Sequence, residues 1–118
     1  MASTPRIDVR EIDGVKVVRF RDRHLFEERT VRDVAEQLAE VLPNDGSPIR
    51  VVLDFTDVAL ISSSFLSKLI LLQRRVEASH GTMRLCEMSN VLESVFRISN
   101  LDRLFHIDRD QRAALAMF

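Results

Sequence analysis

Apolar residues alternate with charged ones from Ile7 to Asp13 and again from Val15 to Phe20. That is the two-residue period of a half-buried strand. The Asp13-Gly14 pair between the runs predicts a tight hairpin turn. Arg21 to Arg29 is polar and irregular and predicts a solvated loop carrying His24. The period then lengthens. Val31, Val34, Ala35, Leu38, Val41 and Leu42 form one stripe at helical spacing, expected to pack on the sheet. Thr30 is the expected N-cap, with Asp33 three residues on as its reciprocal partner. Pro43-Asn-Asp-Gly-Ser-Pro48 stops the helix and makes a loop.

Ile49 to Leu53 is apolar apart from Arg50, which predicts a central parallel strand. Asp54-Phe-Thr-Asp57 leads out of it as an acidic turn, where carboxylates accept backbone hydrogen bonds. A second apolar step, Val58 to Ile61, runs into Ser62, Ser63 and Ser64. A helix follows from about Ser63 to Ser79. Leu66, Leu69, Ile70 and Val76, with Gln73 among them, make its sheet-facing side. Leu71 falls nearly opposite, beside Ser64, Ser67, Lys68 and Arg75, as a candidate partner contact. Gly81 is the expected closing residue of this helix. Thr82 to Met88 reads as another strand. Ser89 or Asn90 caps a helix through Ile98, with Val91, Leu92, Val95 and Phe96 inward. Asn100 suits a left-handed cap, Leu104 to Ile107 a short edge strand, and Asp108 to Met117 a final helix. A hairpin followed by alternating strands and helices implies one α/β domain with a mixed, mostly parallel sheet packed against helices.

The length of 118 residues sets a single domain, 1–118, with residues 1–6 expected as a flexible N-terminus. A net charge of -1 gives no bulk attraction to nucleic acid or anionic membrane. Neither is an expected partner. No run approaches the ~20 apolar residues of a membrane span, and no signal-peptide pattern opens the chain. A soluble, cytoplasmic protein is the expectation. Cys86 is the lone cysteine; it forms no intrachain disulfide and reads as a small core residue. His24, His80 and His106 lie in no nucleophile motif and at no ligand spacing. The three glycines form no phosphate-cradling loop. No catalytic residue, metal or cofactor is assigned, and the chain is not expected to be an enzyme.

The serines carry the remaining chemistry. Serine at a helix start caps free backbone N–H groups. A phosphate there meets the same donors and the positive end of the helix dipole. Such a layout suits a surface switched by phosphorylation better than a catalytic site. Residues Ile49 to Leu72 resemble the signature of the STAS domain, the fold of bacterial anti-sigma factor antagonists. Asp54 and Val58 fall in place, and Ser63, Ser64 and Leu66 fit the family's Ser-Ser/Thr-x-Leu core. Gly81 to Ser89 resembles the next strand and its exit, and Val95 to Phe105 the following helix and its Gly-Leu-Asp-x-hydrophobic-Phe end. Asn100 stands for that Gly. The likeness runs from about Ile7 to about Met117. Ser62 replaces the family's acidic residue before the phosphoacceptor, and Phe65 and Ser67 replace two glycines.

The resemblance implies Ser63 as phosphoacceptor, with Ser64 the alternative. It implies a partner surface of Ser62, Ser63, Ser64, Phe65, Ser67, Lys68, Leu71 and Arg75, edged by part of the Arg21 to Arg29 loop. The implied role is to bind a serine-kinase anti-sigma factor and free a sigma factor, with a phosphatase as a further candidate partner. The alternative is a scaffold subunit of a stressosome or lipid-transport complex, in which the serines only cap the helix.

Overall fold

A computed structural model describes residues 4–118. Strands β1 (Ile7–Ile12) and β2 (Val15–Phe20) form the expected antiparallel hairpin. Asp13 and Gly14 have φ of 50° and 81°, the two positive values that a turn matched to strand twist requires. β4 (Arg50–Asp54) joins β2 in parallel. β6 (Thr82–Cys86) and β7 (His106–Ile107) continue outward, giving the order β1-β2-β4-β6-β7. Every pair except the hairpin is parallel, as the alternation of strands and helices demands.

Helices α1 (Glu28–Val41), α2 (Ser63–Ala78) and α3 (Asn90–Ile98) cover one face of this sheet. Their buried residues include Val34, Leu38, Leu69, Val76, Leu92 and Phe96, over Val18, Val51, Leu53, Met83 and Leu85. The opposite face alternates into a smaller cluster of Val15, Val17, Val52 and Cys86, closed by Ala114 of the short helix α4 (Gln111–Leu115).

Several local expectations change. The loop after β2 contains β3 (His24–Leu25), paired in parallel with β5 (Leu60–Ile61) as a second, two-stranded sheet. Leu25 is fully buried there, and its burial fixes a segment whose composition is otherwise polar. α1 begins before Thr30: the Val31 amide already bonds the Glu27 carbonyl at 2.9 Å. Thr30 is therefore a buried first-turn residue, and Glu27 stands at the N-cap without a side-chain cap bond. Of residues 1–6, the first three lie outside the described residues. The Thr4 carbonyl and Arg6 amide are tied to the Gln37 side chain at 2.8 and 2.7 Å.

α2 closes on His80, not Gly81. His80 takes the left-handed conformation at φ 59°, with its amide on the Glu77 carbonyl and the Gly81 amide on the Val76 carbonyl. β6 ends at Cys86 because Glu87 turns to φ 60°. Val91, expected inward, is 72% exposed: the buried pair Leu92 and Phe96 sets the inner line of α3 and leaves Val91 beside it. Asn100 adopts φ 58° as expected and leads into a single 3-10 turn at Leu101–Arg103. α4 is shorter than its predicted span because Asp110 caps it, accepting from the Ala113 amide at 2.8 Å.

Candidate functional site: the start of α2

Asp54 ends β4 and is 3% exposed. One carboxylate oxygen accepts from the Thr56 amide at 2.8 Å and the Thr56 hydroxyl at 2.6 Å. The other accepts from Gln111 Nε2 at 2.9 Å. This acid shapes the turn rather than facing a ligand. The chain then reverses through Asp57, whose φ of 65° is in the left-handed region. The Ala59 amide bonds the Arg23 carbonyl at 2.7 Å, and the Ser62 amide bonds the Leu25 carbonyl at 3.0 Å. The small β3–β5 sheet thereby holds Ser62, and with it the start of the serine turn, in place.

Ser62 is the N-cap of α2: its hydroxyl accepts from the Phe65 amide at 3.1 Å. An acidic side chain at this position accepts the same bond, so serine keeps the cap while removing the charge. Ser63 and Ser64 are the first two helical residues, both exposed, with hydroxyls outside the cap bond. The first turn of α2 contains no acidic residue, so the positive end of its dipole is uncompensated. The Ser67 hydroxyl donates back to the Ser63 carbonyl at 3.1 Å.

Ser64, Ser67, Lys68 and Leu71 line one outer face of α2, and Leu71 is 61% exposed. Leu71 sits on the lip of a groove of about 200 Å³ between α1 and α2, whose walls include Ala35, Ala39, Lys68, Leu72 and Arg75. Arg75 is half-buried and donates to the Pro43 carbonyl at 3.0 Å. Phe65 does not belong to this outer face. It is 2% exposed and meets Phe20 and Phe55 with ring centroids 5.8 and 6.4 Å away. The helix places residue 65 over the sheet together with Leu69 and Val76, so this side chain fills the core that a glycine would leave open.

Two apolar residues were not singled out from the sequence. Phe26 and Leu60 are 55% and 46% exposed, and each adjoins the β3–β5 pair that positions Ser62. A lone aromatic in a polar loop was the available signal for Phe26. No group of metal-ligating side chains assembles among the described residues. Cys86 is buried as expected, and burial pushes its thiol far above the ordinary value of 9.0. His24 and His106 are exposed at strand edges, on different sheets.

No helix among the described residues is long and apolar enough to cross a membrane. A family model described as "Mlab, STAS domain" matches residues 26–107. The chain is 33% identical over 84 residues to BtrV of Bordetella bronchiseptica, which is named as an anti-sigma factor antagonist; the match spans 71% of this chain and 70% of that protein. Its fold is similar to that of an anti-sigma factor antagonist structure from Thermotoga maritima. The TM-score is 0.80 at 20% identity, over 94% of this chain and 92% of that one. A STAS domain protein from Planctomyces limnophilus matches with a TM-score of 0.76 at 25% identity, over 94% and 97%. The hairpin, the parallel strands, the capped serine turn and the family match agree: the chain belongs to the STAS domain family.

Proposed function

We propose that this chain is an anti-sigma factor antagonist. It works in the cytoplasm, binds a serine-kinase anti-sigma factor through the outer face of α2, and frees a sigma factor. Ser63 is its phosphoacceptor. The observation that carries this reading is the division of labour at the helix start. Ser62 is spent on the cap, while Ser63 presents an exposed hydroxyl above uncompensated helix N–H groups. The naming of BtrV supports the same role. No step of the reading needs catalysis by this chain.

Phosphate would act by blocking docking. It adds roughly -1.5 to -2 charges. At the helix start this charge meets favourable N–H dipoles, an effect of about 0.3–1 kcal/mol toward the fold. On a face that must be buried against a partner, an unpaired charge costs several kcal/mol. The second effect is larger, so binding fails while the fold survives. The test is incubation with the kinase encoded by the host together with ATP, followed by peptide mapping. Phosphate on Ser63 supports the reading. Phosphate confined to Ser79, Ser89 or a threonine removes it.

Two observations favour a second reading. The matching family model is described by the Mlab STAS domain, and Ser62 lacks the acidic charge of the family's phosphorylated members. On this reading the chain is a scaffold subunit of a larger assembly and its serines only cap α2. Co-purification from the host separates the two: a kinase partner supports the first, a membrane or giant assembly the second.

A further inference from the structure

We propose that a second copy of this chain docks on the α1–α2 face, each Leu71 seated in the groove of the other copy. The knob and the hole lie on the same surface. Leu71 is 61% exposed, and beside it runs the apolar groove of about 200 Å³ whose lining includes Leu38 and Leu72. Ala35 and Ala39 form its α1 wall, and alanine lets another helix approach closely. A surface that carries both complementary features satisfies the condition for an isologous two-fold contact.

Charge selects the same arrangement. α1 carries Glu28, Asp33, Glu36 and Glu40 against Arg29 and Arg32. α2 carries Lys68, Arg74 and Arg75 against Glu77 alone. Glu36, Glu40, Lys68 and Arg74 are exposed, and none of them is in an ion pair among the described residues. The two helices lie side by side as crossovers of parallel strands, so they run in the same direction. A two-fold axis along the groove therefore lays α2 of each copy over α1 of the other. That superposition brings the basic helix onto the acidic one twice, once for each copy. It also covers Ser67 and Leu71, so self-association and any partner on the outer face of α2 are mutually exclusive.

The test is analytical ultracentrifugation of the full chain from about 10 µM to about 1 mM, since a self-associating species depends on concentration. The expected result is a shift from 13.6 kDa toward the doubled mass. Leu71→Glu, on an exposed position, should remain monomeric throughout and melt at the temperature of the dilute, monomeric parent. A paired charge swap tests the orientation. Glu36→Arg/Glu40→Arg and Lys68→Glu/Arg74→Glu should each weaken dimerisation at least tenfold alone and form a heterodimer when mixed. A chain that stays at 13.6 kDa at every concentration overturns the proposal and leaves the groove to a different protein. A dimer untouched by Leu71→Glu, or mixed swap variants that stay apart, overturns it as well. None of these measurements involves the kinase, so failure here leaves the proposed function standing, and the reverse also holds.

Discussion

Asp54 and Gln111 are joined by one hydrogen bond, Gln111 Nε2 donating to Asp54 Oδ2 at 2.9 Å across 57 residues of chain. It fastens α4 to the end of the central strand. The same carboxylate holds the Thr56 amide and hydroxyl, so one buried acid secures both the turn toward the serines and the helix on the opposite face. Asp54→Ala strands these donors and should cost about 1–3 kcal/mol, while Gln111→Ala removes one neutral partner and should cost less. Urea unfolding measures both. An Asp54→Ala protein as stable as the parent would remove the acid from this role.

Gly81 is required by the closeness of another backbone and not by a left-handed turn. A methyl group at residue 81 would stand 2.6 Å from the Ile49 nitrogen and 2.7 Å from its carbonyl carbon. The obstacle is main chain on a buried strand entry, which cannot swing aside as a side chain would. Gly81→Ala should destabilise by about 1–3 kcal/mol or more through overpacking. His80→Gly, which removes a side chain from the residue that does adopt positive φ, should be neutral or stabilising. Equal losses for both variants would contradict this assignment.

Ser62 and Ser63 should separate in their effects. Ser62→Ala loses the cap bond and should cost about 1 kcal/mol, whereas Ser62→Asp keeps an acceptor at the helix start and should retain stability. Ser63→Asp should leave the melting temperature unchanged or slightly raised and abolish binding to the anti-sigma factor. Ser63→Ala should keep binding and lose regulation. Calorimetric titration beside thermal melts reads all four. Binding by Ser63→Asp at the parent's affinity would end the phosphorylation argument.

Cys86 should be inert in the folded chain. Burial and the nearby carboxylates of Asp54 and Glu87 hold its thiol protonated well above the ordinary value of 9.0. A thiol reagent at pH 8 should label the native protein slowly and the urea-unfolded protein at once. The sign for stability follows from linkage. The unfolded thiol ionises near 9.0 while the folded one keeps its proton, so this contribution is complete below that pH and declines as pH rises above it. Fast native labelling would show that the strand opens.

The outer face of α2 should carry affinity through Leu71. Truncation to alanine leaves the core stripe of Leu69, Gln73 and Val76 intact. Leu71→Ala should weaken anti-sigma factor binding by about 1 kcal/mol or more if this side chain anchors the contact. Titration calorimetry with unchanged affinity would remove it from the site.

Periodicity was enough to establish the order of the main-sheet strands and the helices, the hairpin, the central strand and the inner stripes of α1 and α2. These follow from where apolar side chains must go, and that pattern is written locally along the chain. The buried state of Cys86 was legible for the same reason, and the left-handed cap at Asn100 from the residue's tolerance of positive φ. The candidate site was legible only in part. Ser63, Ser64, Ser67, Lys68 and Leu71 do share an exposed flank of α2. Phe65 lies four residues before Leu69, so helical spacing alone puts it on the inner stripe; the family resemblance, with a glycine at this position, groups it with the serines, and packing on Phe20 and Phe55 keeps it inward. Leu25, Phe26 and Leu60 take their places from a two-residue strand pairing between segments 36 residues apart, too short to leave a period. Gly81 was visible as a helix-ending residue, but its purpose depends on Ile49, a strand neighbour that no local pattern can name. Local sequence determined what each segment becomes. Which groups meet across the sheet, and hence which side chains stay outside, was decided by long-range packing.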